Sequence, residues 1–152
     1  ESAAKPLIFM AGGSGLSSPR SMILDLLAKG YAQPITLVYG ARNRAELYYH
    51  DDFVALAAQH PNFHYVPALN EPTEACAWIG FRGFVHEAAV ERFNNDFRGH
   101  RAYLCGPPVM IEACIRSLMQ GRLFERDIFT EKFLTSADGA SALARSPLFK
   151  SI

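Results

Sequence analysis

Residues suited to holding a phosphate group follow a short apolar run near the start of the chain. Gly12-Gly-Ser-Gly15 ends that run, and a helical pattern begins within the next few residues. Glycine has no Cβ atom, so the backbone of such a turn allows close approach of a ligand. The N-terminus of the following helix offers unpaired N–H groups and a positive dipole to an anion. This segment therefore predicts a nucleotide-binding turn.

The turn completes none of the stricter glycine motifs. Gly13 and Gly15 satisfy the first two positions of the dinucleotide pattern G-x-G-x-x-G, but Ser18 stands at the third. No Gly-Lys-Ser/Thr follows, which excludes a Walker loop. Leu16 occupies the last position of G-x-S-x-G, which argues against a serine hydrolase. A plain glycine turn between a strand and a helix remains the alternative interpretation.

Cys105-Gly-Pro-Pro108 is a second segment with chemical potential. Its glycine permits a tight turn, and its prolines preset φ for the turn and for a first helical position, where no N–H is needed. We expect the turn to hold the Cys105 thiol at the end of a strand, facing a cleft. A polarisable thiol is suited to lie against a nicotinamide ring. For Cys76 and Cys114 the commoner role of small apolar filler is expected.

Charged residues after the second predicted strand bear on the choice between NADH and NADPH. A carboxylate there accepts hydrogen bonds from the ribose hydroxyls, whereas an arginine favours a 2′-phosphate. The chain offers both, with Arg42, Arg44 and Glu46. The arginines are equally well read as solvated loop charges. NADH is the predicted ligand because Glu46 would oppose a phosphate, with NADPH as the alternative.

Strand and helix patterns alternate along the chain. Apolar, β-rich runs end at Gly12 and cover residues 35–39, 63–66, 102–105 and 127–130, and amphipathic helical stripes lie between them. Residues 70–84 form a loop rich in glycine, proline and aromatic residues, for which packing is expected. The predicted fold is α/β: a doubly wound, five-stranded, mostly parallel sheet with helices on both faces.

This fold predicts where the chemically distinctive segments meet. In a doubly wound sheet, ligands bind beyond the carboxyl ends of the strands, where the strand order reverses. Residues 12–18, 39–46 and 105–108 each follow a predicted strand. We therefore expect them to line one cleft.

Composition narrows the classes of protein. The chain has 152 residues, 49% of them hydrophobic and 20% charged, as in one ordinary globular domain. Lys+Arg and Asp+Glu both number 15, so the chain has no excess of positive charge that would attract nucleic acid or an anionic membrane. No membrane span, signal peptide or metal site is predicted. The 3 scattered cysteines form neither a disulfide framework nor an iron–sulfur motif, and a cytoplasmic location is expected.

Four motifs together resemble one family. Gly12-Gly-Ser-Gly-Leu, Tyr39-Gly-Ala-Arg, Tyr103-Leu-Cys-Gly-Pro-Pro and Thr130-Glu-Lys-Phe133 occur in the order seen in the pyridine-nucleotide domain of the ferredoxin–NADP reductase superfamily. The resemblance covers about residues 6–133. It is strongest to the reductase components of multicomponent bacterial phenol hydroxylases, with methane and toluene monooxygenase reductases as relatives. The sequence departs from the family in having Ser14 in place of threonine and Pro19 one position later.

The resemblance implies a redox function. Such reductases pass hydride from NAD(P)H to FAD and then single electrons through a [2Fe–2S] cluster to the hydroxylase component of a phenol-type monooxygenase. Cys105 and Glu131 are implied as catalytic residues. The residues implied to bind nucleotide or flavin are Gly12, Gly13, Ser14, Gly15, Leu16, Ser17, Arg42, Glu46, Cys105, Gly106, Pro107, Pro108 and Phe133. Phe133 matches the aromatic residue that covers the flavin.

Domain organisation follows from the same resemblance. Residues 1–133 are expected to be the NAD(P)-binding domain, and residues 134–152 a mobile C-terminal tail. Neither a flavin-domain motif nor a ferredoxin cysteine loop occurs, so we expect a piece of a longer polypeptide whose flavin and [2Fe–2S] domains lie elsewhere. The alternative is a nucleotide-binding sensor or regulatory module of the same fold without redox chemistry.

Overall fold

Strands and helices alternate through most of the computed structural model, which describes residues 4–13, 16–73, 77–132 and 143–144. The strands are β1 (Leu7–Gly12), β2 (Ile35–Ala41), β3 (Phe63–Leu69), β4 (Phe81–Arg82), β5 (Arg101–Gly106), β6 (Ile128–Lys132) and β7 (Leu143–Ala144). The helices are α1 (Ser17–Ala28), α2 (His50–Gln59), α3 (Val85–Phe93) and α4 (Pro108–Gln120). Short 3₁₀ helices cover Arg44–Glu46 and Glu125–Asp127.

All seven strands belong to one sheet, in the order β4-β3-β2-β1-β5-β6-β7. β1 to β6 pair in parallel, and β7 pairs antiparallel with β6. The five long strands confirm the predicted mostly parallel sheet. The predicted count of five is corrected by β4 and β7, whose two residues each are too short for a periodic pattern. Since β7 lies at residues 143–144, the sheet extends into the predicted tail.

Helices cover both faces of the sheet, as predicted. One core contains Phe9, Leu37 and Tyr39 packed against α1 and α2. The other contains Ile8, Met10 and Val38 packed against α3 and α4. Alternate residues of β1 and β2 thus point to opposite faces, and both sets are buried, which explains their continuous apolar runs.

Pro19 and Pro108 fit the first turns of their helices. Pro108 is the first residue of α4, and Pro107 precedes it in extended conformation with φ −63° and ψ 151°. Pro19 is the third residue of α1, where the backbone N–H has no intrahelical partner in any helix. The first α1 hydrogen bond runs from Arg20 N to Leu16 O, 2.9 Å. The displaced proline is therefore compatible with a regular helix start.

Candidate functional site

A cavity of about 440 Å³ opens beyond the carboxyl ends of β1, β2, β3 and β5. The strand order reverses between β1 and β5, so the cavity lies at the position where doubly wound sheets bind ligands. Its lining residues are Gly12, Gly13, Gly40, Ala41, Arg42, Glu46, Tyr48, Asn70, Gly83, Phe84, Val85, Pro107 and Met110.

The structure brings the three predicted segments together at this cavity. Gly12 and Gly13 come from the first segment, Arg42 and Glu46 from the second, and Pro107 from the third.

The remaining predicted residues either do not line this cavity or lie outside the described residues. Leu16 and Ser17 line a neighbouring cavity of about 390 Å³, and Tyr48 belongs to both cavities. Cys105, Gly106, Pro108 and Glu131 are not among the lining residues of either. Ser14, Gly15, Cys76 and Phe133 lie outside the described residues.

The N-terminus of α1 lines the neighbouring cavity through Leu16 and Ser17 and is open to an anion. Gly13 has φ +65°, a left-handed conformation that glycine adopts without strain and that turns the chain from β1 toward α1. Leu16 is the N-cap residue, so no side-chain oxygen caps the helix, and its first turn carries no acidic residue. Unpaired N–H groups and the helix dipole therefore remain available to a negatively charged ligand.

Gly12 and Gly106 have a packing role that the sequence did not reveal. A Cβ atom on Gly12 would lie 2.5 Å from Met110 Sδ, and one on Gly106 would lie 2.8 Å from Met110 Cε. Both glycines therefore allow the first turn of α4 to sit directly against the ends of β1 and β5. The missing Cβ atoms of both glycines leave room for Met110, and Gly12 also lines the cavity.

Arg42 and Glu46 form a bidentate ion pair. Arg42 Nη2 donates to Glu46 Oε2 at 2.6 Å, and Arg42 Nε donates to Glu46 Oε1 at 3.1 Å. The hydrogen bonds from Arg42 lower the pKa of Glu46, and those to Glu46 raise the pKa of Arg42. Arg44 is separate, since it lies 3.7 Å from Asp51 and lines another cavity. Of the two arginines, only Arg42 is at the site, and Glu46 balances its charge.

Cys105 and Glu131 are neighbours across β5 and β6. They are register partners in the parallel ladder, and Cys105 is 4% exposed. Burial, together with the nearby Glu131 carboxylate, raises the pKa of the Cys105 thiol to about 12. The group is therefore a neutral thiol at physiological pH. Such a group can contact a ring as a polarisable donor, but it is a poor nucleophile.

Several cavity residues were missed by sequence reasoning. Asn70 immediately follows β3, and its position after a strand was an available signal. Its side-chain Oδ1 is buried and has no hydrogen-bond partner within the described part of the chain. Phe84 gave no signal, because aromatic residues in its loop were expected to pack. Trp78 does pack, at 7% exposure, whereas Phe84 is 54% exposed on the cavity wall.

Comparison with known proteins identifies the class. Residues 9–116 match the oxidoreductase NAD-binding domain family, and the chain belongs to that family. The resemblance to the pyridine-nucleotide domain of the ferredoxin–NADP reductase superfamily is thereby confirmed.

Two phenol hydroxylase proteins are similar to this chain over nearly its whole length. The chain is 63% identical over 152 residues to the phenol 2-monooxygenase reductase component DmpP of Pseudomonas sp. strain CF600, covering 100% of this chain and 43% of that protein. It is 59% identical over 145 residues to the phenol hydroxylase P5 protein of Acinetobacter pittii strain PHEA-2, covering 95% and 41%. The chain therefore spans less than half the length of either relative.

A solved structure of similar fold is the Amycolatopsis cytochrome P450 reductase GcoB. It superposes with a TM-score of 0.78 at 32% identity, over 90% of this chain and 40% of that one. Neither a membrane-spanning helix nor a metal-binding cluster occurs among the described residues. None of their helices has the length and apolar character to cross a membrane, and no group of three or more His, Cys, Asp or Glu side chains is placed to hold a metal ion.

Proposed function

We propose that this chain is the NAD(P)-binding domain of an electron-transfer reductase and that it binds NADH in the cavity at the carboxyl ends of β1, β2, β3 and β5. One observation carries the proposal. Three segments far apart in sequence, each able to contact part of a dinucleotide, converge on a single cavity where the strand order reverses. Membership of the NAD-binding family supports the same assignment.

The cavity fits the adenosine and pyrophosphate parts of such a ligand. Gly12, Gly13 and the uncapped start of α1 suit the pyrophosphate. Glu46 suits the ribose hydroxyls, which are hydrogen-bond donors. The unpartnered Oδ1 of Asn70 supplies a further acceptor. Ser14, Gly15, Leu16 and Ser17 complete the proposed phosphate-binding segment.

The nicotinamide ring would lie toward β5 and β6. Bound NADH supplies a hydride to a flavin. Cys105, Gly106, Pro107 and Pro108 would shape the ring site, with the Cys105 thiol in its neutral form. Glu131 would set the local polarity and Phe133 would cover the flavin. Fixed placement of the ring is the contribution of these residues to hydride transfer.

The complete reaction requires parts outside this chain. We propose that FAD and a [2Fe–2S] cluster belong to further domains of the same polypeptide and that electrons pass to the hydroxylase component of a phenol-type monooxygenase. The NAD(P)-binding domain would cover residues 1–133, followed by a tail at 134–152. The names and identities of the two phenol hydroxylase relatives support this proposal. A cytoplasmic location suits the two described cysteines, which are unpaired.

Stopped-flow reduction of the flavin by NADH in the full-length protein tests this proposal. Cys105→Ala should slow flavin reduction at saturating NADH, because the ring loses its packing partner. Cys114→Ala is the matched control, since Cys114 is fully buried in the core between the sheet and α4. An unchanged rate in Cys105→Ala would contradict the proposed role of Cys105. Absence of flavin reduction by NADH in the wild type, together with retained NADH affinity, would contradict the redox role of the site and favour a binding module.

A further inference from the structure

Asn70 and Phe84 line the same cavity, and the pairing of β3 with β4 places them there. The strands are parallel, with Leu69 opposite Arg82, and Gly83 N donates to Leu69 O at 2.8 Å. Asn70 and Gly83 therefore follow the two strands at the same level, and Phe84 is the next residue; all three line the cavity. Asn70 N donates in turn to Ala41 O at 3.1 Å, which ties this wall of the cavity to the end of β2.

The position of Phe84 is fixed although its ring is exposed. Gly83 has φ +148°, and a Cβ atom there would lie 2.8 Å from Phe81 Cε2, so glycine is required for the turn into α3. Phe84 N donates to Glu87 Oε1 at 2.8 Å, closing the first turn of the helix. The ring stacks on one side with His86, with centroids 6.0 Å apart. A held, half-exposed aromatic ring on a cavity wall is a surface for a planar ligand group.

The Asn70 carboxamide supplies hydrogen-bonding capacity beside that ring. Its Oδ1 is buried in the wall without a partner among the described residues. The terminal torsion of asparagine is broad, so the amide turns toward the cavity at little cost. A carboxamide pairs with adenine through two bonds, its oxygen accepting from the 6-amino group and its nitrogen donating to N7.

The arrangement of the strands selects which ring of a dinucleotide reaches this wall. With the pyrophosphate at the end of β1, the Cys105–Glu131 pair lies on the β5–β6 side and Glu46 on the β2 side. β3 lies two strand spacings from β1, or about 10 Å, within reach of the adenosine half. We propose that Phe84 and Asn70 form an adenine-recognition subsite, in which Phe84 stacks on the base and the Asn70 carboxamide reads its 6-amino group. This inference rests on the proposed function.

Calorimetric titration of the full chain with NADH and with nicotinamide hypoxanthine dinucleotide, reduced form, tests the subsite. The second ligand carries a 6-oxo group, an acceptor, in place of the 6-amino donor. Wild type should bind NADH about tenfold more tightly, because the hypoxanthine edge leaves the amide oxygen unpaired. Asn70→Leu should reduce that ratio to about one.

Phe84→Ala should weaken the binding of both ligands by the same factor, about tenfold, since stacking does not depend on the 6-substituent. Phe124→Ala is the matched control: Phe124 is also 54% exposed, and it does not line the cavity. Thermal unfolding of each variant reports whether its fold is intact.

The two proposals fail in different ways. NADH binding by wild type with no preference over the hypoxanthine ligand would overturn the adenine subsite and leave the proposed function standing. A preference that persists in Asn70→Leu would also overturn it. Absence of binding by either dinucleotide at millimolar concentration would overturn the proposed function and the subsite together.

Discussion

The pairing of Arg42 with Glu46 makes a specific prediction about nucleotide choice. Glu46 both offers acceptors to ribose hydroxyls and neutralises the guanidinium that would otherwise attract a 2′-phosphate. Glu46→Gln keeps the shape of the side chain and removes its charge. The ratio of NADPH to NADH affinity should rise by about tenfold, as measured by calorimetry.

Asp96→Asn provides the matched control for that substitution. Asp96 and Arg98 form a comparable bidentate pair, with two bonds of 2.8 Å, and neither residue lines the cavity. Its removal should leave the NADPH-to-NADH ratio unchanged. If Glu46→Gln and Asp96→Asn behave alike, the proposed role of Glu46 is wrong.

The buried thiol of Cys105 predicts how stability depends on pH. Its folded pKa is raised from 9.0 to about 12 by burial and by Glu131, while an unfolded thiol titrates near its usual value. Between these values the unfolded chain loses a proton that the folded chain keeps. The stabilisation is therefore complete below about pH 9 and is lost as the pH rises toward 12.

Urea unfolding of wild type and Cys105→Ala at pH 7 and pH 10 measures this contribution. Between pH 7 and pH 10, the free energy of unfolding of wild type should fall by about 1 kcal/mol more than that of the variant. Cys114 remains in both proteins, so its own raised pKa cancels in the comparison. Equal losses would show that Cys105 titrates normally in the folded protein.

At the level of strands and helices, glycines at strand ends let α3 and α4 approach the sheet. A Cβ atom on Gly40 would lie 2.3 Å from Val85 Cγ2, a branched side chain that is stiff at χ1. Gly12 faces the end of the flexible Met110 side chain instead. Gly40→Ala should therefore destabilise the fold by about 1–3 kcal/mol, and Gly12→Ala by less.

A double-mutant cycle with Val85→Ala isolates the contact at Gly40. If the clash with Cγ2 causes the loss, Gly40→Ala should cost much less in the Val85→Ala background, as read from the free energy of unfolding. The same cost in both backgrounds would contradict the packing explanation and would point to the backbone of β2.

At the scale of the whole molecule, sequence analysis predicted those features that depend on short-range patterns, namely the long strands and the segments at their ends. Five strands of five to seven residues carried apolar, β-rich runs, and the glycine turn and Cys105-Gly-Pro-Pro108 each begin at the end of one of them. The rule for doubly wound sheets then placed both segments at one edge. Neither β4 nor β7 has enough residues to show a period, and neither was predicted.

The part of the site that was missed depends on long-range pairing. Asn70 and Phe84 come from a loop without periodicity, and the pairing of β4 with β3 brings them to one cavity. The Arg42–Glu46 pair was equally hidden, because residue types alone do not reveal whether two charges in a loop bind each other or a ligand. Such contacts depend on the positions of neighbouring strands rather than on local sequence.

The most direct test of nucleotide binding at the carboxyl edge is an NMR titration of the ¹⁵N-labelled chain with ADP-ribose. The largest amide shift changes are predicted for the cavity residues Gly12, Gly13, Gly40, Ala41 and Gly83. Amides at the opposite ends of the strands should be unaffected, namely those of Leu7, Ile35 and Phe63. Shift changes concentrated at that opposite edge, or none at millimolar ADP-ribose, would contradict dinucleotide binding in this cavity.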